Sequence, residues 1–332
     1  MKKSYFLMAA AATMFAACSQ SDVLNEVQVQ DEAQAIGFST YAGKATRAIA
    51  DTDLEKYHKT FGVWTDKTYD GTTMVPVMEN FQVNEPTSGD TWEYAGVGTQ
   101  KLKYWDKRAS YKFYAYAPYS SSVSMNAGKN IIIPEGVYAA NENLQETFGE
   151  ALNGNDFSGT GVDGTKSTDW MLADVISRNV MENTTVVENF RHTMAKLIVC
   201  FKTEDTFNET ITLTSVSVNN VYGKGSFNSA AGWAVAGAAT SVDGKVGNIV
   251  KEKTYYSMEY LLIPSNTAPT FSVEYTINDD TYVVENATID GITKFDANTV
   301  YTLTVTISAD PIEFEANAVN WQYNASGTVT IE

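Results

Sequence analysis

The chain has 332 residues, a formal net charge of −17 and only 19% charged residues. Acidity on this scale repels phosphate backbones and disfavours nucleic acid as a partner. An abundance of Thr, Ser, Asn, Gly and Tyr marks a β-rich exported protein, long enough to bury one large or two medium cores.

The first residues read as an address. Lys2 and Lys3 precede an apolar run from Tyr5 to Ala17. A bilayer-spanning helix needs about 20 residues, so this run suits a signal peptide over residues 1–17 instead. The run ends Phe15-Ala16-Ala17-Cys18, the pattern of a lipoprotein cleavage site. The Cys18 thiol is then expected to take a diacylglycerol and become the mature N-terminus, with palmitate-type acyl chains as anchor. Each buried methylene contributes about 0.8 kcal/mol, so several chains on one residue hold firmly.

Residues 18–34 are polar and acidic and read as a tether. Ile36 and Phe38 begin an alternating strand through Thr40, followed by the small, polar segment Gly43-Lys44-Ala45-Thr46-Arg47-Ala48. That segment is expected to be exposed and open to proteases. Beyond it the hydrophobic period is two. Tyr111, Phe113, Ala115 and Ala117 share one face, as do Phe271, Val273, Tyr275 and Ile277, and Tyr301, Leu303, Val305 and Ile307. Ile211 and Leu213 have one parity and Val216 and Val218 the other, which predicts a bulge near Ser215. Asp70-Gly71, Asp243-Gly244 and Asp290-Gly291 signal turns. Leu144, Phe148 and Leu152, spaced by four, predict a helix leading into a Gly-rich loop over 153–165. Many short strands predict an all-β fold of two β-sandwiches, 35–188 and 189–332.

Residues that carry chemistry are scarce. Of the two histidines, His192 opens a core strand and reads as structural, while His58 reads as solvated. Asp156, Asp163 and Asp169 bracket the Gly-rich loop without the spacing of a calcium loop and read as solvated acids, so no metal site is expected. No nucleophile elbow, phosphate loop or dinucleotide fingerprint occurs, and neither an enzyme nor a cofactor is expected. Cys200, within Leu197-Ile198-Val199-Cys200-Phe201, reads as a small buried hydrophobe.

In chain order, several motifs carry a resemblance. They are the signal ending at Cys18; Ile36-Gly37-Phe38-Ser39-Thr40; Lys44-Ala45-Thr46-Arg47-Ala48; Tyr104-Trp105-Asp106; and Tyr111-Lys112-Phe113-Tyr114-Ala115-Tyr116-Ala117-Pro118. Further on come Asp169-Trp170-Met171-Leu172-Ala173, Phe190-Arg191-His192-Thr193-Met194-Ala195-Lys196-Leu197, Leu261-Leu262-Ile263-Pro264, Phe295-Asp296-Ala297-Asn298-Thr299-Val300-Tyr301-Thr302-Leu303, and Val319, Asn320 and Trp321. Together they resemble the fimbrillins of Bacteroidales, pilins of the type V pilus. The resemblance implies two transthyretin-like β-sandwich domains in tandem and an outer-membrane lipoprotein precursor that becomes part of an extracellular fimbrium. It implies an arginine-specific protease cutting at Arg47-Ala48 and releasing the strand of Ile36 and Phe38. A strand from another pilin subunit, in a homo- or hetero-polymer, would fill the vacated groove. Two segments of this chain are extended and alternating enough to donate: Ile312 and Phe314 with Ala316 and Ala318, and Val329 with Ile331. The function expected is a stalk or tip subunit serving adhesion. The alternative is a non-polymerising surface lipoprotein that binds a host protein or glycan and keeps its N-terminus from Cys18.

Overall fold

The computed structural model describes residues 34–40, 54, 58–87, 91–96, 100–147, 160–161, 168–182, 184–203, 209, 211–244, 247–249, 254–307 and 313–320. Among them every extended regular element is a strand. In chain order these are β1 (Phe38–Thr40), β2 (Thr60–Thr68), β3 (Val75–Asn84), β4 (Glu93–Tyr94), β5 (Ser110–Ala117), β6 (Ser124–Met125), β7 (Ile131–Val137), β8 (Ala140–Thr147), β9 (Thr160–Gly161), β10 (Met171–Ala173), β11 (Ile176–Arg178) and β12 (Val186–Glu188). There follow β13 (Phe190–His192), β14 (Ala195–Thr203), β15 (Ile211–Val221), β16 (Lys224–Asn228), β17 (Gly232–Ala236), β18 (Thr240–Asp243), β19 (Gly247–Ile249), β20 (Thr254–Leu262), β21 (Thr270–Ile277), β22 (Asp280–Thr288), β23 (Thr299–Ile307) and β24 (Glu313–Asn320).

The alternation read in the sequence is the alternation of burial. Tyr111, Phe113, Ala115 and Ala117 of β5 turn inward, and so do the odd-numbered residues of β23 from Tyr301 to Ile307. The register of β15 against β21 slips between Leu213 and Ser215, so the bulge lies where the parity changes. It lets Leu213 and Val216 face the same core. Between β21 and β22, Asn278 and Asp279 take φ of 48° and 77°, a two-residue turn with both residues left-handed. The expected helix at Leu144 is not formed. Residues 140–147 are β8, with Leu144 opposite Ser257 of β20, and the long-range ladder overrides the local spacing. Phe148 and Leu152 lie outside the described residues. The Gly-rich segment that follows contributes Thr160 and Gly161 to the same sheet, against β8.

Three cores result. The first half's sheet, β13-β10-β5-β2-β3-β4 with β11 also on β5, covers a cluster containing Phe61, Trp92, Phe113 and Phe190. In the second half, β24-β23-β14-β20-β8-β9 faces β18-β15-β21-β22, and Phe201, Val218, Phe271 and Leu303 pack between them. Strand β14 lies between antiparallel β20 and parallel β23 and is buried along most of its length, which accounts for its unbroken apolar run and the buried Cys200. A four-stranded sheet, β17-β16-β7-β6, covers the third cluster, where Trp64, Tyr116 and Trp170 meet Met194, Leu261 and Ile263. Thus β7 and β8, early in the chain, pair with β16 and β20 of the later half.

Candidate functional site

The segment from Gln34 to Thr40 lies in a groove of the first core, held by backbone hydrogen bonds along both edges. On one edge Trp105 N donates to Gln34 O at 2.9 Å, Ile36 N donates to Lys103 O at 2.8 Å, and Trp92 N donates to Phe38 O at 2.9 Å. On the other edge Val186 N donates to Gly37 O at 2.9 Å, and β1 runs parallel to β12 with Phe38 opposite Val186 and Thr40 opposite Glu188. Two side chains close over the backbone: Tyr94 Oη donates to Ile36 O at 2.9 Å and Trp92 Nε1 to Thr40 Oγ1 at 3.1 Å.

The apolar contacts are as complete as the ladder. Ile36 and Phe38 are both 0% exposed. The Phe38 ring meets Phe61 edge-on at 5.7 Å and Phe113 at 6.0 Å, with Tyr94 at 6.2 Å. Burying side chains of this size contributes about 1.5 to 3 kcal/mol each, and each backbone bond adds about 1 kcal/mol net. The segment is therefore an integral part of the core, yet it is joined to the rest of the chain on its C-terminal side only through residues 41–57. A cut in that stretch would leave it held by non-covalent contacts alone.

One feature of the groove runs against its apolar character. Glu188 on β12 is 0% exposed, and neither carboxylate oxygen has a hydrogen-bond partner. Burial pushes its pKa up to about 8, Arg178 pulls it down more weakly, and Asp174 adds to the rise. The Arg178 Nε, on β11, is likewise buried without a partner. Composition gives no hint of this carboxylate; only the strict alternation of Val186-Val187-Glu188, with positions 186 and 188 on one face, could have pointed to it.

The remaining candidates separate as follows. Phe314 stands in β24, opposite Val305 at the edge of the second half's sheet, and Ala316 of that strand packs half-buried on the core. Cys18, Arg47, Ala48, Ile312, Val329, Ile331, Asp156 and Asp163 lie outside the described residues. Asp169 is buried, contrary to its reading as a solvated acid: its Oδ2 is 2.8 Å from His192 Nδ1, and its carbonyl accepts from His58 Nε2 at 2.6 Å. His58 is accordingly half-buried, not solvated, and its pKa is lowered by burial against the opposing pull of Asp169. His192 is a buried structural residue, as expected. The sequence hides this meeting of two histidines on one aspartate because His58 and Asp169 are 111 residues apart. With the His192 and Asp169 side chains 1% and 3% exposed, the pair lies where no substrate reaches it. Among the described residues no group of three metal-ligating side chains converges.

No curated protein matches the chain. Several solved structures share its fold. A candidate cell-adhesion protein from Bacteroides uniformis is 17% identical, with 89% of this chain and 100% of that chain covered and a TM-score of 0.53. One from Bacteroides ovatus is 20% identical, with coverage of 87% and 96% and a TM-score of 0.54. A fimbrial protein from Bacteroides vulgatus is 15% identical, with coverage of 87% and 99% and a TM-score of 0.55. Residues 46–332 match the model of a family described as fimbrillin-like. Because that match takes in nearly everything downstream of the β1 strand, the chain belongs to the fimbrillin-like family.

Proposed function

We propose that the chain is a structural subunit, stalk or tip, of a type V cell-surface pilus that serves adhesion, and that it assembles by strand exchange. It is exported with residues 1–17 as signal and anchored in the outer membrane through Cys18. An arginine-specific protease cuts between Arg47 and Ala48, and β1 leaves. A strand from a neighbouring subunit takes its place, while the C-terminal segment of this chain enters the next groove. The groove belongs to an N-terminal sandwich, 35–188, and the donor to a C-terminal one, 189–332. Of the two donor candidates, the segment of Val329 and Ile331 is preferred, because Asn324-Ala325-Ser326-Gly327 offers a hinge before it. The segment of Ile312 and Phe314 runs into β24, which has a place in its own sheet.

The observation that carries the reading is the seat of β1, a strand bonded along both edges, buried to 0% at Ile36 and Phe38, and lying just upstream of an arginine. Its departure strips partners from Trp92 N, Trp105 N, Val186 N and Lys103 O and opens an apolar slot. Both changes favour addition of another strand. Membership of the fimbrillin-like family supports a fimbrial role and a role that is structural, not enzymatic.

Arg47→Ala tests the reading in cells. The variant is expected to accumulate as the lipidated precursor, without filaments. Surface filaments built from Arg47→Ala protein would contradict it and favour a lipoprotein that never needs the cut.

A further inference from the structure

The β1 groove carries a buried acid that its present occupant does not answer. Phe38 and Thr40 of β1 point inward, and so do Val186 and Glu188 of β12, in matched register. Three of these four suit an apolar slot or have a partner, since Thr40 Oγ1 accepts from Trp92 Nε1. Glu188 has none on either oxygen at 0% exposure. The charged groups acting on it are Arg178 from β11 and Asp174 from the turn before β11; Asp174 is engaged with Arg191 of β13, and β1 brings no charge. A carboxylate left unpaired in a dry site is costly, whereas the same carboxylate beside a cation makes a short, charge-assisted hydrogen bond. An occupant with a long basic side chain at the Thr40 position would convert the first situation into the second.

This chain's own tail offers no such residue. From Phe295 to Glu332 there is no Lys, Arg or His, and the stretch holds Asp296, Asp310, Glu313, Glu315 and Glu332. A second copy would therefore insert only neutral or acidic side chains next to Glu188.

The geometry points to Glu188 as the residue that selects the groove's occupant: a strand from a different subunit that places Lys or Arg where Thr40 now sits, in preference to the tail of a second copy. The inference rests on the strand-exchange reading above and names its partner. Polymers built through this groove are then mixed, with this subunit's tail seated in a groove of another kind.

The test uses the full chain from Ser19, cut with an arginine-specific protease. Fluorescent peptides are added and exchange is followed by anisotropy at pH 7. One peptide is residues 34–46 as they stand, one is the same with Thr40→Lys, and one is the tail 318–332. The Thr40→Lys peptide is expected to bind at least tenfold more tightly than the other two, and to lose that lead on Glu188→Gln protein. The lead is also expected to shrink from pH 8 to pH 4 on unaltered protein, a readout that needs no folded variant. Equal binding of the native and Thr40→Lys peptides, or a lead that survives both Glu188→Gln and pH 4, would overturn the selectivity while leaving strand exchange intact. If no peptide enters and residues 34–47 stay bound, strand exchange itself fails and the selectivity falls with it.

Discussion

The buried, unpartnered Glu188 carboxyl is expected to make the seat of β1 sensitive to pH. Its carboxyl titrates near 4.5 when free in water and at about 8 when buried. A raised folded-state pKa means that the neutral form fits the seat. Its contribution is complete below about pH 4.5 and is lost as pH rises through about 8. At roughly 1.4 kcal/mol per pKa unit the difference amounts to several kcal/mol. Retention of the cleaved N-terminal fragment, measured by gel filtration across that range, is expected to decline with rising pH in the native sequence and to stay level in Glu188→Gln. A flat profile in the native sequence would show that the carboxyl does not bear on the strand. At this scale the sequence was partly legible. Ile36 and Phe38 stood out by alternation and lie in the core. The roles of Trp92, Tyr94 and Glu188 did not stand out, because each acts on a strand far from it in the chain. Gly62 is similarly opaque: an added Cβ would collide with the Tyr116 ring, a crowding visible only once β2 and β5 are paired.

Strand β1 is short, and its hold depends on few side chains. Phe38 supplies three of its ring contacts, with Phe61, Phe113 and Tyr94. Truncating a buried Phe to Ala removes about 3 to 5 kcal/mol, which speeds release of the cleaved strand by about two to four powers of ten. Phe38→Ala is expected to do this in a stopped-flow release assay, while Ser39→Ala, on the half-buried face, leaves the rate nearly unchanged. Equal rates for both would mean that the ladder alone holds the strand. The other elements illustrate what alternation can and cannot reveal. Period two located β5, β21 and β23 and even the bulge at Ser215. It failed for β8, whose sequence, Ala140-Asn141-Glu142-Asn143-Leu144-Gln145-Glu146-Thr147, has no alternating apolar face; its strand character comes from its partner β20. A four-residue spacing of apolar groups is not evidence for a helix where a neighbouring strand offers eight paired positions.

For the whole molecule, composition and period sufficed for an all-strand fold, and the competing four-residue spacing at Leu144 gave way to the ladder with β20. The third core was not legible. It is built from side chains on and beside strands of both halves, with Trp64 and Tyr116 from one and Met194, Leu261 and Ile263 from the other, joined through β7 and β16. Alternation within single strands does not show that these side chains meet; the long-range pairing does. Among the described residues the ladder of the Gln34–Thr40 segment runs to β12 and to the bridges at Trp92 and Tyr104. The most direct measurement is N-terminal sequencing of this protein in filaments sheared from the cell surface. The expected result is a start at Ala48, with no peptide from residues 34–40 retained. A chain in those filaments that still begins at a lipidated Cys18 and keeps Ile36 and Phe38 would contradict strand exchange.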